Sequence, residues 1–358
     1  MKTGAKSKPI YMDTNYSFEE RAADLVSRMT LEEKVAQIGN VAAAVNRLGV
    51  SGYDYWREAL HGVARQGKAT SFPSPLSMSN TWNRKLIHKM ADMTATEARG
   101  KNNNLNLSYW SPTVNMARDP RWGRNEETFG EDPYLTGQLG IQFVSGMQGD
   151  DEKYLKTIAT VKHFIANNCE KERRGGTSVM SEKTLREYYA KVFQYIVEGA
   201  DPASAMSSYN AVTLTRGGKT LFDYVPSAAN PYTLIDLLRR NWGFSGYVTG
   251  DCGAVADLND KAAYKQTLFP GEDISKIPQS ATIAKRIQAG NDIDCGNASR
   301  PNGLEAVLNG YMSEEELNIA VYRLFLQRMR VGEFDPDPRY GDITPDVLEK
   351  DEHIAVAE

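Results

Sequence analysis

The stretch GFSGYVTGDCGAV, residues 243–255, combines a strand-like run with a single acid. Tyr247 to Thr249 form the run, and Asp251 follows it between two glycines. An acid at the end of a buried strand is held on rigid backbone and faces the space that the loops enclose, as catalytic carboxylates commonly do. These residues alone are more typical of a turn or helix-capping aspartate, and the rest of the chain changes that balance.

Short apolar segments alternate with helical ones on both sides of this stretch. The strand-like segments include LNLSYWSP, TIATVKHF, SAMSSYN and DIDCG, and helices are predicted from about Pro133, from Ser181, over Tyr232–Arg240 and around Ile283–Ala289. Such alternation over roughly 300 residues indicates parallel βα units, most readily a (β/α)8 TIM-like barrel. A doubly wound parallel sheet is the alternative, but the GxGxxG and GxxxxGK[ST] fingerprints that would favour it are absent.

Helix-capping signals stand at both ends of the alternating region. They predict helix starts at Ser17 with Glu20, Thr30 with Glu33, and Ser313 with Glu316. The last of these helices ends at Gly332, and the Pro- and Asp-rich stretch that follows, EFDPDPRYGDITPD, is typical of a linker. The chain then begins a helix-like segment, VLEKDEHIAVAE, and stops within it. We therefore expect a barrel domain over residues 1–334, with a linker and the start of a second, missing domain at residues 335–358.

The composition is typical of a soluble globular protein. Of the 358 residues, 41% are hydrophobic and 25% charged, enough to bury a large core. A net charge of -4 and a pI near 5.8 argue against a nucleic acid or an anionic membrane as partner and favour a small neutral ligand. No apolar run follows the N-terminal lysines, and none approaches the length of a membrane helix. From this sequence we expect no signal peptide and a cytoplasmic location, with a periplasmic or secreted one possible for relatives.

The cysteines give no sign of a metal site or of a disulfide framework. Cys169, Cys252 and Cys295 are an odd number and widely spaced, and no CxxC or HxxxH spacing occurs. We therefore expect neither a metal nor a cofactor. Pairing of Cys252 with Cys295 is left open.

Polar side chains gather where the predicted strands end. The residues at these positions are Trp110, Lys162, His163, Tyr209, Asn210 and Asp251. The carboxyl ends of the strands form the face of a (β/α)8 barrel that carries active sites. Each residue alone is more often a turn, capping or core residue, but repetition on several strand ends favours a shared site.

The segment RDPRWGRNEETFGEDPYL, residues 118–135, concentrates charged side chains around one tryptophan. It can be interpreted as a surface salt-bridge network, which would add little stability. The functional interpretation is that Arg124 presents its planar donors to ligand hydroxyls. One of three nearby acids, Glu126, Glu127 or Glu131, would hold the arginine in place.

Seven motifs occur in an order that is specific to one family. They are YWREALHGVA, SNTWN, WSPTVNMARDPRWGRNEETFGEDPYL, VKHFIANN, MSSYN, LLRRNWGFSGYVTGDCGAV and AGNDIDCG. Together they resemble the N-terminal barrel of the glycoside hydrolase family 3 β-glycosidases, particularly the β-xylosidase and α-arabinofuranosidase branch. The resemblance implies an α/β fold, a (β/α)8 TIM-like barrel truncated before a second α/β domain. It also implies a retaining, exo-acting hydrolase of terminal non-reducing sugars, first of all a β-1,4-xylosidase of plant polysaccharide breakdown.

The resemblance also implies roles for individual residues. Asp251 matches the nucleophile of the family, and Glu58 falls where the glucosidases of the family carry an aspartate. Trp110 would form an apolar wall of the sugar pocket. Arg173 would be the loop arginine, with the adjacent Arg174 as the alternative. The substrate-binding residues implied in this way are Glu58, Trp110, Arg124, Lys162, His163, Arg173, Met206 and Tyr209.

Retaining glycoside cleavage needs two carboxyl groups, and the sequence supplies only one clear candidate. A carboxylate beneath the anomeric carbon traps the oxocarbenium-like state, and we expect a nearby lysine or arginine to keep its pKa low. In most of the family the acid/base comes from the second domain, and in a minority from a histidine and aspartate on a barrel loop. Here that loop, IANNCEKERRGGTS, lacks histidine, and its Glu170 and Glu172 resemble solvated acids. Activity of this chain alone is therefore expected to be impaired.

Three other interpretations stay open at this point. The chain could be a β-glucosidase of the same family. It could be a sugar-binding barrel without turnover, since the pocket survives while the acid/base does not. It could also be a fragment that does not fold stably, because a barrel that normally packs on a second domain would expose that apolar contact.

Overall fold

The computed structural model describes residues 8–102 and 105–358. The strands are β1 (Val41–Ala42), β2 (Tyr53–Asp54), β3 (Ser108–Tyr109), β4 (Ile158–Phe164), β5 (Thr177–Ser181), β6 (Ser204–Ser207), β7 (Ala211–Arg216), β8 (Lys219–Pro226) and β9 (Tyr247–Gly250). The α-helices are α1 (Phe18–Ser27), α2 (Leu31–Val35), α3 (Pro75–Ser79), α4 (Arg84–Asn102), α5 (Pro133–Gln148), α6 (Glu182–Thr184), α7 (Lys191–Ala200), α8 (Ala254–Asp260), α9 (Ala262–Leu268), α10 (Gln279–Gln288), α11 (Ser299–Leu308), α12 (Glu314–Arg330) and α13 (Asp351–Ala357). Two π-helical segments are Leu185–Tyr189 and Tyr232–Asn241.

A curled parallel sheet forms the centre of the molecule. Four strands pair in parallel in the order β3-β4-β6-β9. Beyond β9 the parallel pairing continues through residues 293–294 to Gly39. From there, backbone hydrogen bonds pass through residues 53–57 back to Trp110 beside β3. The sheet thus curls into a TIM-like α/β barrel, which confirms the fold class that the sequence predicted.

Helices surround the sheet and aromatic side chains fill its interior. Helices α4, α5 and α7 pack against one another in succession outside the sheet, as in a barrel of βα units. The interior cluster is dominated by large side chains, and its members include Tyr53, Tyr55, Trp110, Met206 and Tyr247. Removing this apolar surface from water stabilises the barrel and fixes the strand ends at which the polar residues lie.

The helix signals of the sequence are largely confirmed. All three capping boxes form, at the starts of α1, α2 and α12. The helix expected from Pro133 is α5. The helix expected from Ser181 is interrupted, because the π-helical turn Leu185–Tyr189 separates α6 from α7.

A second sheet lies outside the barrel and was not predicted. It has the order β5-β7-β8, with β5 parallel and β8 antiparallel to β7. Gly217 and Gly218 form the hairpin between β7 and β8, with φ angles of 57° and 77°. Two adjacent glycines with positive φ suit a tight hairpin turn, so the signal was present in the sequence.

Residues 335–358 run along the outside of the barrel and make buried contacts with it. The carboxylate of Asp335 accepts hydrogen bonds from the buried guanidinium of Arg21 and from the hydroxyl of Tyr154. Farther along, α13 packs on α4, where His353 contacts Glu97. In the described part of the chain, no helix combines the length and apolar character needed to cross a membrane.

Candidate active site

Three neighbouring strands of the barrel carry polar residues to one face. Lys162 and His163 lie near the carboxyl end of β4, Tyr209 follows β6, and Asp251 follows β9. These strands are parallel neighbours in the order β4-β6-β9, so their carboxyl ends meet on the same face. The tertiary structure therefore brings the central residues of the predicted site together.

Asp251 lies at the centre of this face with one oxygen unpaired. Its Oδ1 accepts a hydrogen bond of 2.7 Å from the backbone N–H of Cys252. Its Oδ2 is buried and makes no hydrogen bond of good geometry to the described residues, because the nearby Tyr209 hydroxyl donates to the Cys252 carbonyl instead. Nε2 of His163 lies 3.7 Å from Oδ2. One carboxylate oxygen of Asp251 is thus left without a hydrogen bond.

The pKa of Asp251 differs from the sequence-based expectation. Burial is the largest influence and raises the pKa of Asp251, while Lys162, the Cys252 N–H, Arg124 and the Tyr209 hydroxyl lower it. The net pKa lies above the ordinary value for aspartate, because desolvation of the carboxylate outweighs these favourable contacts. The expected cations are present and act in the expected direction, but they do not keep the pKa low.

His163 is held as a neutral imidazole of one tautomer by Asn115. Burial, with the nearby cations Arg124, Lys162 and Arg173, lowers the pKa of His163 well below its ordinary value. The Asn115 Oδ1 accepts from the backbone N–H and from Nδ1 of His163, at 2.8 and 3.1 Å. The Asn115 Nδ2 donates to a backbone carbonyl, which fixes the orientation of the amide. Nε2 is therefore left unprotonated on the side of Asp251.

Lys162 and Glu58 form an ion pair at the edge of the site. The Lys162 Nζ lies 3.0 Å from Glu58 Oε2, and the lysine side chain is almost fully buried. The indole N–H of Trp56 donates to the other carboxylate oxygen, Oε1, at 3.3 Å. Glu58 is thus fixed by both oxygens, and Trp56 joins the site although sequence reasoning did not select it.

Arg124 is held by Glu127, one of the three acids that the sequence left open. Its Nε and Nη2 donate to the two oxygens of Glu127 at 2.8 and 2.7 Å. This bidentate pair fixes the plane of the guanidinium. The positive charge of Arg124 lies close to His163 and Asp251. It contributes to the lowered pKa of His163, and it partly offsets the effect of burial on the pKa of Asp251.

Tyr209 connects the β6 loop to the backbone beside Asp251. Its hydroxyl donates to the carbonyl of Cys252 at 2.7 Å, and burial followed by the charge of Asp251 raises its pKa. The guanidinium of Arg173 stacks over the Tyr209 ring at 4.8 Å. Arg174 also lies over this ring, at 5.5 Å, and forms a bidentate pair with the buried Asp257. The charge of Arg173 acts on the site, because it lowers the pKa of His163.

The two candidate acids of the β4 loop differ in their surroundings. Glu170 accepts from the indole N–H of Trp122 at 3.2 Å and from Arg173 at 3.0 Å. Glu172 is exposed. One acid is thus engaged in positioning an arginine, and the other lies in solvent.

Trp110 and Met206 lie beneath the site rather than on its surface. Each is only 1% exposed, and both belong to the cluster that fills the barrel. Trp56 stacks on Trp110 with ring centroids 5.8 Å apart. Trp110 is therefore covered by the partly exposed Trp56, and its role as a wall of the pocket stays a prediction.

A disulfide joins the Asp251 loop to the neighbouring strand end. Cys252 pairs with Cys295, which follows the bridge residue Ile293, and Cys169 is a free, exposed thiol. The backbone of Cys252 donates to Asp251 and accepts from Tyr209. The covalent link therefore constrains the peptide that orients both side chains.

Cavities occur at both ends of the barrel, not only at the face that carries Asp251. A cavity of about 810 Å³ lies among the loops that precede the strands, at the opposite end of the barrel, beside Phe18, Arg239 and Arg323. A cavity of about 300 Å³ adjoins Glu58. Within residues 8–102 and 105–358, no group of three or more His, Cys, Asp or Glu side chains is arranged to hold a metal.

The sequence also matches a family model over most of the barrel. Residues 30–326 match the glycosyl hydrolase family 3 N terminal domain. The chain belongs to glycosyl hydrolase family 3. Asp251 and its neighbours thus lie at the strand ends of a family 3 barrel.

Similar proteins include several xylosidases. The exo-1,4-beta-xylosidase bxlB of Emericella nidulans is 38% identical over 93% of this chain and 44% of its own length. The xylan 1,4-beta-xylosidase of Xylanibacter ruminicola is 36% identical over 94% of this chain and 38% of its own length. This family 3 chain therefore spans less than half the length of these relatives.

Solved structures of the family agree with the fold. A GH3 exo-beta-xylosidase, XlnD, in complex with a xylobiose aziridine activity based probe, superposes with a TM-score of 0.87 at 35% identity, over 97% of this chain and 45% of that one. The beta-glucosidase 3B of Thermotoga neapolitana, in complex with glucose, gives a TM-score of 0.73 at 26% identity, over 94% of this chain and 46% of that one.

We predict that Asp251→Asn raises the melting temperature at neutral pH. Burial raises the pKa of Asp251, so the ionised carboxylate destabilises the folded chain, and an amide removes that penalty. The gain in melting temperature should be full at pH values above the pKa of Asp251 in the folded chain. It should vanish below 3.8, the ordinary pKa of aspartate, and calorimetry at several pH values measures it. Asp236→Asn serves as control, because Asp236 is partly exposed and pairs only with the exposed Arg240. An Asp251→Asn protein that is no more stable than the parent at pH 7 contradicts this account.

Proposed function

We propose that this chain is the nucleophile-bearing barrel of a retaining, exo-acting β-glycosidase, and that its substrates are terminal β-1,4-linked xylosides of plant polysaccharides. The observation that carries the proposal is the unpartnered Oδ2 of Asp251, buried among sugar-binding side-chain types at the active face of a family 3 barrel. The xylosidase names of the relatives support the choice of sugar.

In the proposed reaction, Oδ2 of Asp251 attacks the anomeric carbon as the bond to the leaving oxygen breaks. A covalent glycosyl ester forms, and the leaving oxygen takes a proton from an acid/base. Water then attacks the same carbon, giving its proton back to that acid/base, and the carboxylate is released. Lys162 and Arg124 stabilise the ionised nucleophile, and the Cys252 N–H orients its other oxygen.

The surrounding groups offer complementary partners to sugar hydroxyls. Lys162 and Arg124 can only donate hydrogen bonds, whereas Glu58 accepts them. Neutral His163 presents an acceptor at Nε2, because its Nδ1–H donates a hydrogen bond to the Asn115 Oδ1. A sugar hydroxyl can both donate and accept, so a ring of alternating donors and acceptors suits a neutral polyol.

We propose that the acid/base is supplied by a second domain. The carboxylates placed around the site are already engaged by cations, Glu58 by Lys162 at 3.0 Å and Glu170 by Arg173 at 3.0 Å. Each of these carboxylates is thus already paired with a cation of the barrel rather than free to contact a leaving oxygen. The relatives, which are more than twice as long as this chain, have room for such a domain.

We predict that a 2-deoxy-2-fluoro xyloside with a very good leaving group labels Asp251. The fluorine slows hydrolysis of the covalent ester more than departure of the leaving group, so the ester accumulates. Peptide mass mapping should find the sugar on the peptide that contains Asp251, and Asp251→Asn should take up none. A label on Glu172 would refute the assignment.

We predict that Glu58 favours pentosides over hexosides. Its side chain is one methylene longer than the aspartate of the glucosidases and crowds the space that a hydroxymethyl group needs. Glu58→Asp should shift the ratio of kcat/KM for aryl xylosides and glucosides toward glucosides by about 10- to 200-fold. Glu58→Gln keeps the length and should not cause this shift. A parent protein that prefers glucosides would favour the β-glucosidase alternative.

We predict that the chain alone cleaves activated substrates only. General acid catalysis contributes about 100- to 10,000-fold and matters most for poor leaving groups. Weak turnover of dinitrophenyl xyloside is therefore expected without detectable hydrolysis of xylobiose, and a separately expressed second domain should raise the rate. Efficient cleavage of xylobiose by the chain alone would instead locate the acid/base in the barrel. Binding of xylose without any turnover would favour a sugar-binding function.

A further inference from the structure

Glu97 of α4 is a buried carboxylate that joins two distant segments of the chain. It is 1% exposed. On one side it accepts hydrogen bonds from the backbone N–H and the hydroxyl of Thr70, at 2.8 and 2.6 Å. On the other it accepts from the backbone N–H of Glu349 at 3.0 Å and contacts Nδ1 of His353 at 2.8 Å. Four donors thus converge on one side chain.

The electrostatics of Glu97 match those of a structural anchor. Burial alone would raise its pKa, but hydrogen bonds from His353 and Thr70 outweigh burial and hold the pKa below the ordinary value. The carboxylate is therefore ionised, and its hydrogen bonds are charge-assisted, which makes them stronger than neutral ones.

Thr70 belongs to the loop of residues 58–72, which begins at Glu58. The Glu58 carbonyl accepts from Ala64, and Phe72 bonds to the backbone and the ring of His61, so the loop is closed on itself. Gly62 has a φ of 122°, and its Cα faces the Thr70 carbonyl so closely that no side chain would fit. A displacement of Thr70 is therefore transmitted to the turn after Glu58.

Close packing does not fix this loop on its outer side. A cavity of about 300 Å³ lies between the loop and the C-terminal segment and is bounded by Glu58 and by Glu349. The inner side of the loop packs into the core through Val63 and Phe72, and Lys101 donates to the carbonyls of Gln66 and Lys68. The hydrogen bonds to Glu97 add the link between Thr70, beside this cavity, and the segment that follows Glu349.

We propose that Glu97 and His353 are positioning residues, through which residues 349–353 hold the 58–72 loop and so set the position of Glu58 in the sugar site. This inference rests on the proposed function only in the role of Glu58. His353→Ala should loosen the loop and weaken xylose binding about three- to tenfold, as expected for contacting groups. His353→Gln should keep most of the loop order and most of the xylose affinity, because its amide can still donate to Glu97.

Hydrogen exchange and ligand titration together test the proposal. Amide exchange in peptides covering residues 58–72 should accelerate in His353→Ala, while peptides covering residues 106–116 should stay unchanged. Xylose affinity is measured by tryptophan fluorescence, because Trp56 contacts Glu58. His88→Ala is the matched control. His88 lies on α4, the helix of Glu97, and contacts a different carboxylate, Asp150, at 3.4 Å, away from the loop.

The possible outcomes separate this inference from the proposed function. Faster exchange in the loop with weaker xylose binding in His353→Ala, but not in His88→Ala or His353→Gln, supports it. A fall in melting temperature with unchanged loop exchange and unchanged affinity overturns it, because His353 would then be merely structural. If the parent does not bind xylose at all, the proposed function fails, and loop exchange alone decides whether His353 positions the loop.

Discussion

The site depends on burying Asp251 with one of its oxygens unpaired. A carboxylate taken out of water without a partner is unfavourable, and here burial raises its pKa despite two nearby cations. The surrounding polar groups are nevertheless satisfied among themselves, with Arg124 on Glu127 and Lys162 on Glu58. The two cations are thus held by other carboxylates and do not pair with Asp251. Its Oδ2 stays free of hydrogen bonds, as the proposed role of nucleophile requires.

Residues that do not face the site themselves determine the orientation and tautomer of those that do. Asn115 accepts two hydrogen bonds from His163 and so determines which ring nitrogen faces Asp251. The disulfide from Cys252 to Cys295 constrains the peptide that contacts both Asp251 and Tyr209. In the inference drawn above, Glu97 likewise supports the loop of residues 58–72, and it acts through Thr70 rather than by direct contact with Glu58. Rigid support of this kind reduces the reorganisation that binding would otherwise require.

Several parts of the site could not be predicted because they depend on contacts between distant segments. The sequence offered three acids as partners of Arg124, and only the fold selects Glu127. Trp110 was expected to form a wall of the pocket, but Trp56, 54 residues earlier, stacks over it. Burial of Asp251 likewise has no local signal. In contrast, the β7–β8 hairpin carried a local signal in its two glycines, and that signal was overlooked.

The sequence by itself determined the alternation of strands and helices, the capped helix starts and the placing of Lys162, His163 and Asp251 at strand ends. These features are local, because they arise from periodicity, capping and turn residues within a few positions. The tertiary structure alone decided which strands are neighbours, and therefore that these three side chains meet. It also decided the tautomer of His163, the raised pKa of Asp251 and the anchoring of residues 349–353 on Glu97. Each of these depends on burial and on groups far apart in the chain, which no local pattern encodes.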